Sequence, residues 1–176
     1  MLVSALGRLY LSRDIPMESS REARNSVEVN RWCRQSHPIS AQEHLKWHDW
    51  QAKDPNTRMY AIYSVETEDF LGVCGLTGIS WTHRKAEFSL YITPSQRRRG
   101  YAGEALSTLV EHGFYDLNLH RIWGEMFDGN PAESLFTSLG MVYEGCLRQT
   151  YFKDGRYLDS HIYSIMRDEW KRLRPC

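Results

Sequence analysis

Three features of this chain could do chemistry. They are a basic turn with two glycines, Arg97-Arg98-Arg99-Gly100-Tyr101-Ala102-Gly103, an acid, Glu87, in the alternating segment before it, and Asn130 ahead of a proline. The turn has the makings of an anion site. The first backbone N–H groups of a helix lack internal partners and lie at the positive end of its dipole, so a phosphate is held there without any one side chain. Gly100 and Gly103 let the backbone approach a ligand closely. Glu87 is of the type that takes up a proton during reaction, and its bland alternative is a surface pair with Arg84 or Lys85. Asn130 is equally well placed as a helix N-cap before Pro131. Glu43, His44 and His48 invite a metal reading, because the two histidines fall one helical turn apart. No further ligand set accompanies them, and Leu45, Trp47 and Trp50 read better as the buried stripe of an amphipathic helix, so no metal is expected. A nucleotide P-loop is excluded because no Gly-Lys-Ser/Thr follows, and the G-x-G-x-x-G fingerprint is absent.

Regular elements must position these groups. The segment Ala86 to Ile92 alternates, with Phe88, Leu90 and Ile92 on one face and Glu87, Ser89 and Tyr91 on the other, which predicts a strand running into the turn. After the turn, Ala102, Ala105, Leu106, Leu109, Val110, Gly113 and Phe114 recur at helical spacing and predict a long amphipathic helix. Upstream, Leu6 to Leu11 reads as a strand and Ser19 to Trp32 as a helix burying Ala23, Val27 and Trp32. Ser40 and Glu43 form a capping box that opens a second helix through about Gln51. A hairpin follows, Tyr60 to Val65 and Phe70 to Ile79. Downstream come a strand from Arg121 to Phe127, a short helix with Pro131 at its first position, a hairpin of Val142 to Phe152 and Tyr157 to Met166, and a final helical turn from Arg167.

Composition sets the outer bounds. The 176 residues read as one domain, residues 1–176, large enough to bury roughly 70% of the unfolded chain's surface. Hydrophobic residues at 41% and charged residues at 25% are the mixture of a soluble globular protein. Lys plus Arg and Asp plus Glu balance at 22 each, so no global field draws the chain to nucleic acid or to an anionic membrane. Cys33, Cys74, Cys146 and Cys176 form no C-x-x-C pair and are expected as free thiols in a reducing compartment. The apolar run at Met1 to Leu6 has no basic segment before it, unlike a signal peptide, and no stretch approaches the roughly 20 apolar residues of a membrane helix. The expected location is the cytoplasm.

The spacing Arg97-x-x-Gly100-x-Ala102, in this order of elements, resembles the pyrophosphate signature of the GNAT superfamily of N-acetyltransferases. The likeness runs over roughly residues 6 to 170. Asn130 with Leu139-Gly140-Met141, the run Glu144-Gly145-Cys146-Leu147-Arg148, and Asp154-Gly155-Arg156-Tyr157-Leu158-Asp159 resemble the branch of ribosomal-protein N-terminal, spermidine and nucleotide-sugar amine acetyltransferases. The resemblance implies an α+β fold, layered α/β/α, around a mixed, mostly antiparallel sheet of six to seven strands with a V-shaped splay.

It also implies acetyl-CoA as acetyl donor, with no metal. Backbone groups of Tyr91, Ile92 and Thr93 would pair with the pantetheine arm, the turn of Arg97, Arg98, Arg99, Gly100, Tyr101, Ala102 and Gly103 would hold the pyrophosphate, and Asn130 would touch the arm. Glu87 would accept the proton of the amine, directly or through water, and Arg24, Asn25, Trp32 and Trp81 would join it on the acceptor side, where His37 and His83 are further candidates. In one place the chain departs from its relatives. Many have a tyrosine four residues before the glycine of the Leu-Gly-Phe/Met element as donor to the leaving thiolate, and this chain has Phe136. Tyr91, Tyr101, Tyr143, Ser134 or water would have to substitute, and coenzyme A thiolate is a tolerable leaving group without one. The reading is therefore direct attack by a primary amine in a ternary complex, the acceptor being a small molecule such as an amino sugar or polyamine in preference to a peptide N-terminus. The competing class is a non-catalytic module that binds coenzyme A or nucleic acid. A homodimer is compatible with the sequence, and no membrane partner is expected.

Overall fold

The computed structural model describes residues 1–173. In chain order the elements are β1 (Leu2–Val3), β2 (Leu9–Ser12), α1 (Met17–Asn25), α2 (Val27–Asn30), α3 (Ala41–Lys53), β3 (Arg58–Ser64), β4 (Phe70–Ser80), β5 (Lys85–Ile92), α4 (Tyr101–Tyr115), β6 (Arg121–Phe127), α5 (Glu133–Ser138), β7 (Val142–Lys153), β8 (Arg156–Met166) and α6 (Arg167–Leu173). The strands form one sheet in the order β1-β2-β3-β4-β5-β6-β8-β7. Every neighbouring pair is antiparallel except β5 and β6, so the sheet is mixed as expected. Eight strands are present, one more than the sequence pattern provides, because β1 is a two-residue edge strand too short to show alternation.

Alternation along the strands divides the core into two layers. Tyr60 and Ile62 of β3 pack on one face with Ala105, Leu106, Leu109, Val110 and Phe114 of α4, the stripe that the helical spacing predicts. Met59 and Ala61, their immediate neighbours, face the other way and pack with Val73, Ile15 and Trp47 of α3. Helices therefore cover both faces of the sheet. Full burial of one Leu or Phe contributes roughly 1.5–3 kcal/mol, so the α4 layer is the larger source of stability.

Three helical expectations change. The helix of residues 19–32 is two helices, α1 and α2, broken at Ser26, whose hydroxyl accepts from the Val29 N–H. The break turns Val27 outward, 78% exposed, and buries Val29 instead. In α3 the Ser40–Glu43 capping box is present, but the buried positions are His44 and Gln51, while Leu45 and Trp50 are exposed. The cause is polar: His44 Nε2 meets Ser20 Oγ of α1 at 2.8 Å and stacks on Trp47, which fixes the helix face. Pro131 lies in a turn ahead of α5, which begins at Glu133. Cys33 and Cys74 are buried and Cys146 is exposed, all as free thiols; Cys176 lies outside the described residues.

Candidate active site

The site begins where β5 and β6 part. Their parallel pairing covers only Lys85, Ala86 and Glu87 against Arg121, Ile122 and Trp123, although both strands continue. The Phe88 ring takes up the separation. A Cβ placed at Gly124 would lie 2.3 Å from the ring, so the ring occupies space that any side chain on β6 would need. Beyond Glu87, β5 keeps its bonds to β4 and loses those to β6. The Thr93 N–H donates to the Leu71 carbonyl, and antiparallel alternation then directs the Tyr91 and Thr93 backbone at β4 and the Phe88, Leu90 and Ile92 backbone into the gap. The edge that faces the gap thus comprises Phe88, Leu90 and Ile92, whose carbonyl Arg97 Nε reaches at 3.3 Å, where the sequence reading has Tyr91, Ile92 and Thr93.

The gap leads straight into the glycine turn. Arg98 and Gly100 both have positive φ, at 60° and 84°, and Gly100 precedes the first residue of α4. Only glycine takes that conformation at no steric cost. The first internal bond of α4 runs from the Glu104 N–H to the Gly100 carbonyl, and no side chain caps this end. The N–H groups of Tyr101, Ala102 and Gly103 are therefore left for an anion. Glu104 would oppose that anion, but its carboxylate is buried against Ser4 Oγ and the Arg8 guanidinium, whose Nε donates at 2.8 Å. Arg8 also reaches the Arg99 carbonyl at 3.4 Å and lies 5.6 Å from the Tyr101 ring centre. The turn keeps its positive field and gains a brace.

Turn and gap share one cavity of about 620 Å³. Its walls include Glu87 to Ile92, Arg97, Arg98, Gly100 to Gly103, Asn130 and Phe136, together with Arg24 and Trp32 from the helical side. Asn130 lines the cavity, but it is not the N-cap of α5: that position is Ala132, and Asn130 Oδ1 accepts the Ala132 N–H at 3.0 Å in the turn ahead of the helix. Other expected residues lie elsewhere. Thr93 and Arg99 are off the cavity wall. Asn25 is tied to both backbone groups of Ile39, and Trp81, in the β4–β5 turn, donates to Asn56 ahead of β3, so both act as structural ties away from the cavity. Tyr143 packs on His161 and Tyr163, and Ser134 Oγ donates to the Pro131 carbonyl.

The far end of the cavity holds a charged cluster. The Arg34 guanidinium bridges Glu87 and Glu125, reaching Glu125 at 2.8 Å through the same nitrogen that meets Glu87. Glu125 also accepts from the Tyr151 hydroxyl at 3.0 Å and from Ser160 Oγ. Burial opposes the charge of Arg34, and the bond to Glu87 with the field of both acids outweighs it, so the pKa of Arg34 is raised. Burial and the bond to Glu125 push the Tyr151 hydroxyl up to about 12. Tyr91, on the same face of β5 as Glu87, donates its hydroxyl to the Ser20 carbonyl, and burial raises its pKa. Its proton is committed there, which removes the Tyr91 side chain as a donor to a leaving thiolate. Arg34, Glu125 and Tyr151 went unnoticed in the sequence. Glu125 alternates with Arg121 and Trp123 on β6 as Glu87 does on β5, and the same test would have found it.

Beneath Arg34 lies a buried cation. Lys153 ends β7, is 3% exposed, and donates from Nζ to the carbonyls of Asn30, Cys33 and Gln35 at 2.6, 2.7 and 2.7 Å. Those carbonyls belong to the segment around Arg34, which has no ladder bonds of its own. Lys153 fixes that backbone and leaves the Arg34 side chain to move.

A family model described as an acetyltransferase (GNAT) domain matches residues 12–142. The chain belongs to this family. Among GNAT relatives, an uncharacterized N-acetyltransferase, YoaA, of Bacillus subtilis is 35% identical over 109 residues, covering 61% of this chain and 62% of that protein. A spermidine N(1)-acetyltransferase of Vibrio cholerae is 32% identical over 104 residues, 58% of this chain and 60% of that protein. The chain thus spans about three fifths of these relatives' lengths in alignment. In structure, the GNAT fold is shared with a spermidine N-acetyltransferase from Vibrio cholerae in complex with CoA and spermine, at a TM-score of 0.87 and 24% identity over 93% of this chain and 98% of that one. A single-residue variant of a Vibrio cholerae spermidine N-acetyltransferase gives 0.79 at 27% identity, covering 95% and 97%. Among the described residues no helix is long and apolar enough to cross a membrane, and no three His, Cys, Asp or Glu side chains group as metal ligands.

Proposed function

We propose that the protein transfers an acetyl group from acetyl-CoA to a primary amine of a small molecule by direct attack. The observation that carries this reading is the continuity of one cavity: a strand edge facing the gap runs from an uncapped helix start to a carboxylate pair. The residues fit acetyl-CoA in kind. The free N–H groups of Tyr101 to Gly103 suit a pyrophosphate, and the Phe88, Leu90 and Ile92 edge suits the amides of a pantetheine arm. When bound, the donor supplies a thioester carbonyl carbon open to attack.

Glu87 then has a defined task. An ammonium group has no lone pair, so the acceptor must lose a proton before attack, and Glu87 is 20% exposed at the point where the strands separate. A backbone N–H of the β5 edge can stabilise the developing oxyanion, which is the larger electrostatic need. Phe136 packs edge-on against Phe88 at 5.0 Å and serves as an apolar wall that keeps water out. Tyr101 and Tyr151 are the tyrosines of the wall other than Tyr91, and Tyr151 holds its proton tightly. Tyr101 stands at the pyrophosphate end beside Arg8, so the leaving thiolate takes its proton from water.

Coenzyme A release with a panel of polyamines, amino sugars, aminoglycosides and peptides tests the proposal. Turnover confined to peptides would replace the small-molecule acceptor with a protein N-terminus. Absence of turnover with every amine, at intact coenzyme A affinity, would make this a binding module.

A further inference from the structure

We infer that Arg34 is an internal stand-in for a second cationic group of the acceptor, which makes the acceptor a compound with two spaced amino groups and Glu125 its anchoring acid. The inference rests on the reaction proposed above and goes further, to the residue that selects the acceptor. Two acids, Glu87 and Glu125, face the cavity on the diverging strands, and one guanidinium nitrogen satisfies both. The burial of the three groups is uneven. The Arg34 side chain is 44% exposed, whereas those of Glu87 and Glu125 are 20% and 8% exposed. Arg34 can therefore turn outward into water at little desolvation cost, while Glu125 stays inside and needs a replacement cation.

An acceptor amine that takes Glu87 removes one of the two ion pairs of Arg34, whose guanidinium also lies 5.6 Å from the Tyr151 ring centre. A monoamine then leaves Glu125 charged and supported by two neutral hydroxyls, Tyr151 and Ser160. A second ammonium on the same molecule completes the exchange and restores the charge balance of the cluster. Lys153 favours this course over movement of the whole segment, since it holds the backbone on both sides of Arg34.

The test compares hexamethylenediamine with hexylamine, acceptors of equal reach that differ by one cation. For the wild-type protein kcat/KM should favour the diamine by about tenfold, between the small effect of an exposed pair and the larger one of a buried pair. Glu125→Gln should collapse that ratio toward about two, the statistical factor of two equivalent amines, and Arg34→Gln should lower the diamine KM. A ratio that survives in Glu125→Gln overturns the inference, as does a diamine KM that rises in Arg34→Gln. A wild-type preference for aminohexanoate that Arg34→Gln abolishes also overturns it, because Arg34 would then be a carboxylate receptor. If Glu125→Gln fails to fold, Arg34→Gln decides alone. Calorimetric titration of the diamine into the protein with coenzyme A reads the same contacts without turnover. Glu125-dependent binding with no reaction would sink the proposed reaction and keep the anchor, whereas binding indifferent to Glu125→Gln removes the anchor.

Discussion

Gly124→Ala tests whether the separation of β5 and β6 has the cause assigned to it. The added methyl would stand 2.3 and 2.4 Å from two carbons of the Phe88 ring. Carbon atoms in contact prefer about 3.5–4 Å, so the ring or the strand must shift by about 1 Å or more. Overpacking of this kind costs about 1–3 kcal/mol, and replacing a strand glycine by alanine returns about 0.5–1 kcal/mol through the unfolded chain. The net loss is then about 0–2.5 kcal/mol, which for a chain of this size lowers Tm by up to about 10 °C. The ring can move against Phe136 or into the gap. Because it lines the cavity, the same substitution should raise the KM for acetyl-CoA. Thermal unfolding followed by circular dichroism reads the first effect, and initial rates read the second. Phe88→Leu in the same chain should relieve part of the loss, with a coupling of about 1 kcal/mol in the double-variant cycle. A Tm above wild type, or strict additivity with Phe88→Leu, would refute the wedge.

Other outcomes follow from the same geometry. Gly100→Ala places a side chain at φ 84°, which costs about 1–2 kcal/mol, and its methyl lies 3.3 Å from the Arg8 guanidinium, so calorimetry should show weakened acetyl-CoA binding. Wild-type affinity would mean that the phosphates sit elsewhere. Glu87→Gln should depress kcat most at low pH, where the acceptor is most fully ammonium; a pH profile parallel to wild type would remove Glu87 as the proton acceptor. His44 is pushed below its ordinary 6.5, first by burial and then by the charge of His48, so the folded state resists its protonation. The unfolded chain binds the extra proton, and stability therefore falls as pH drops from about 6.5 through the depressed value. Urea unfolding across that window should show the slope in wild type and a shallower one in His44→Gln. An equal slope in both would assign the dependence to another group.

Local rules carried far in the sequence. The stripe from Ala102 to Phe114 became α4, the Ser40–Glu43 pair became a capping box, and the alternation around Glu87 became β5. These depend on neighbours within a few residues. What failed to show depends on distant ones. Arg34 looks like a solvated side chain in an irregular stretch, and its two acids lie 53 and 91 residues away. Leu45 and Trp50 were assigned to the core by type, yet the face of α3 is set by the His44–Ser20 contact, 24 residues apart. The phase of the β5 edge was not legible either, since which backbone groups face the gap is fixed by pairing to β4.

Lys153 has a further effect, on the order in which the molecule can be completed. The carbonyls it caps precede it by 118 to 123 residues. During synthesis the brace of the glycine turn, Arg8 with Glu104, can close as soon as α4 emerges. The segment bearing Arg34 must wait for the tip of the β7–β8 hairpin, which is among the last parts made. The residues after 142, the end of the matched family region, carry Lys153 and Tyr151 and also β8, which lies inside the sheet beside β6 and brings Tyr163 and Ile165 to the core. The order around Arg34 is thus supplied from the hairpin tip, and Lys153→Met, which removes those three bonds and leaves the Arg8–Glu104 brace in place, would loosen that segment without touching the glycine turn.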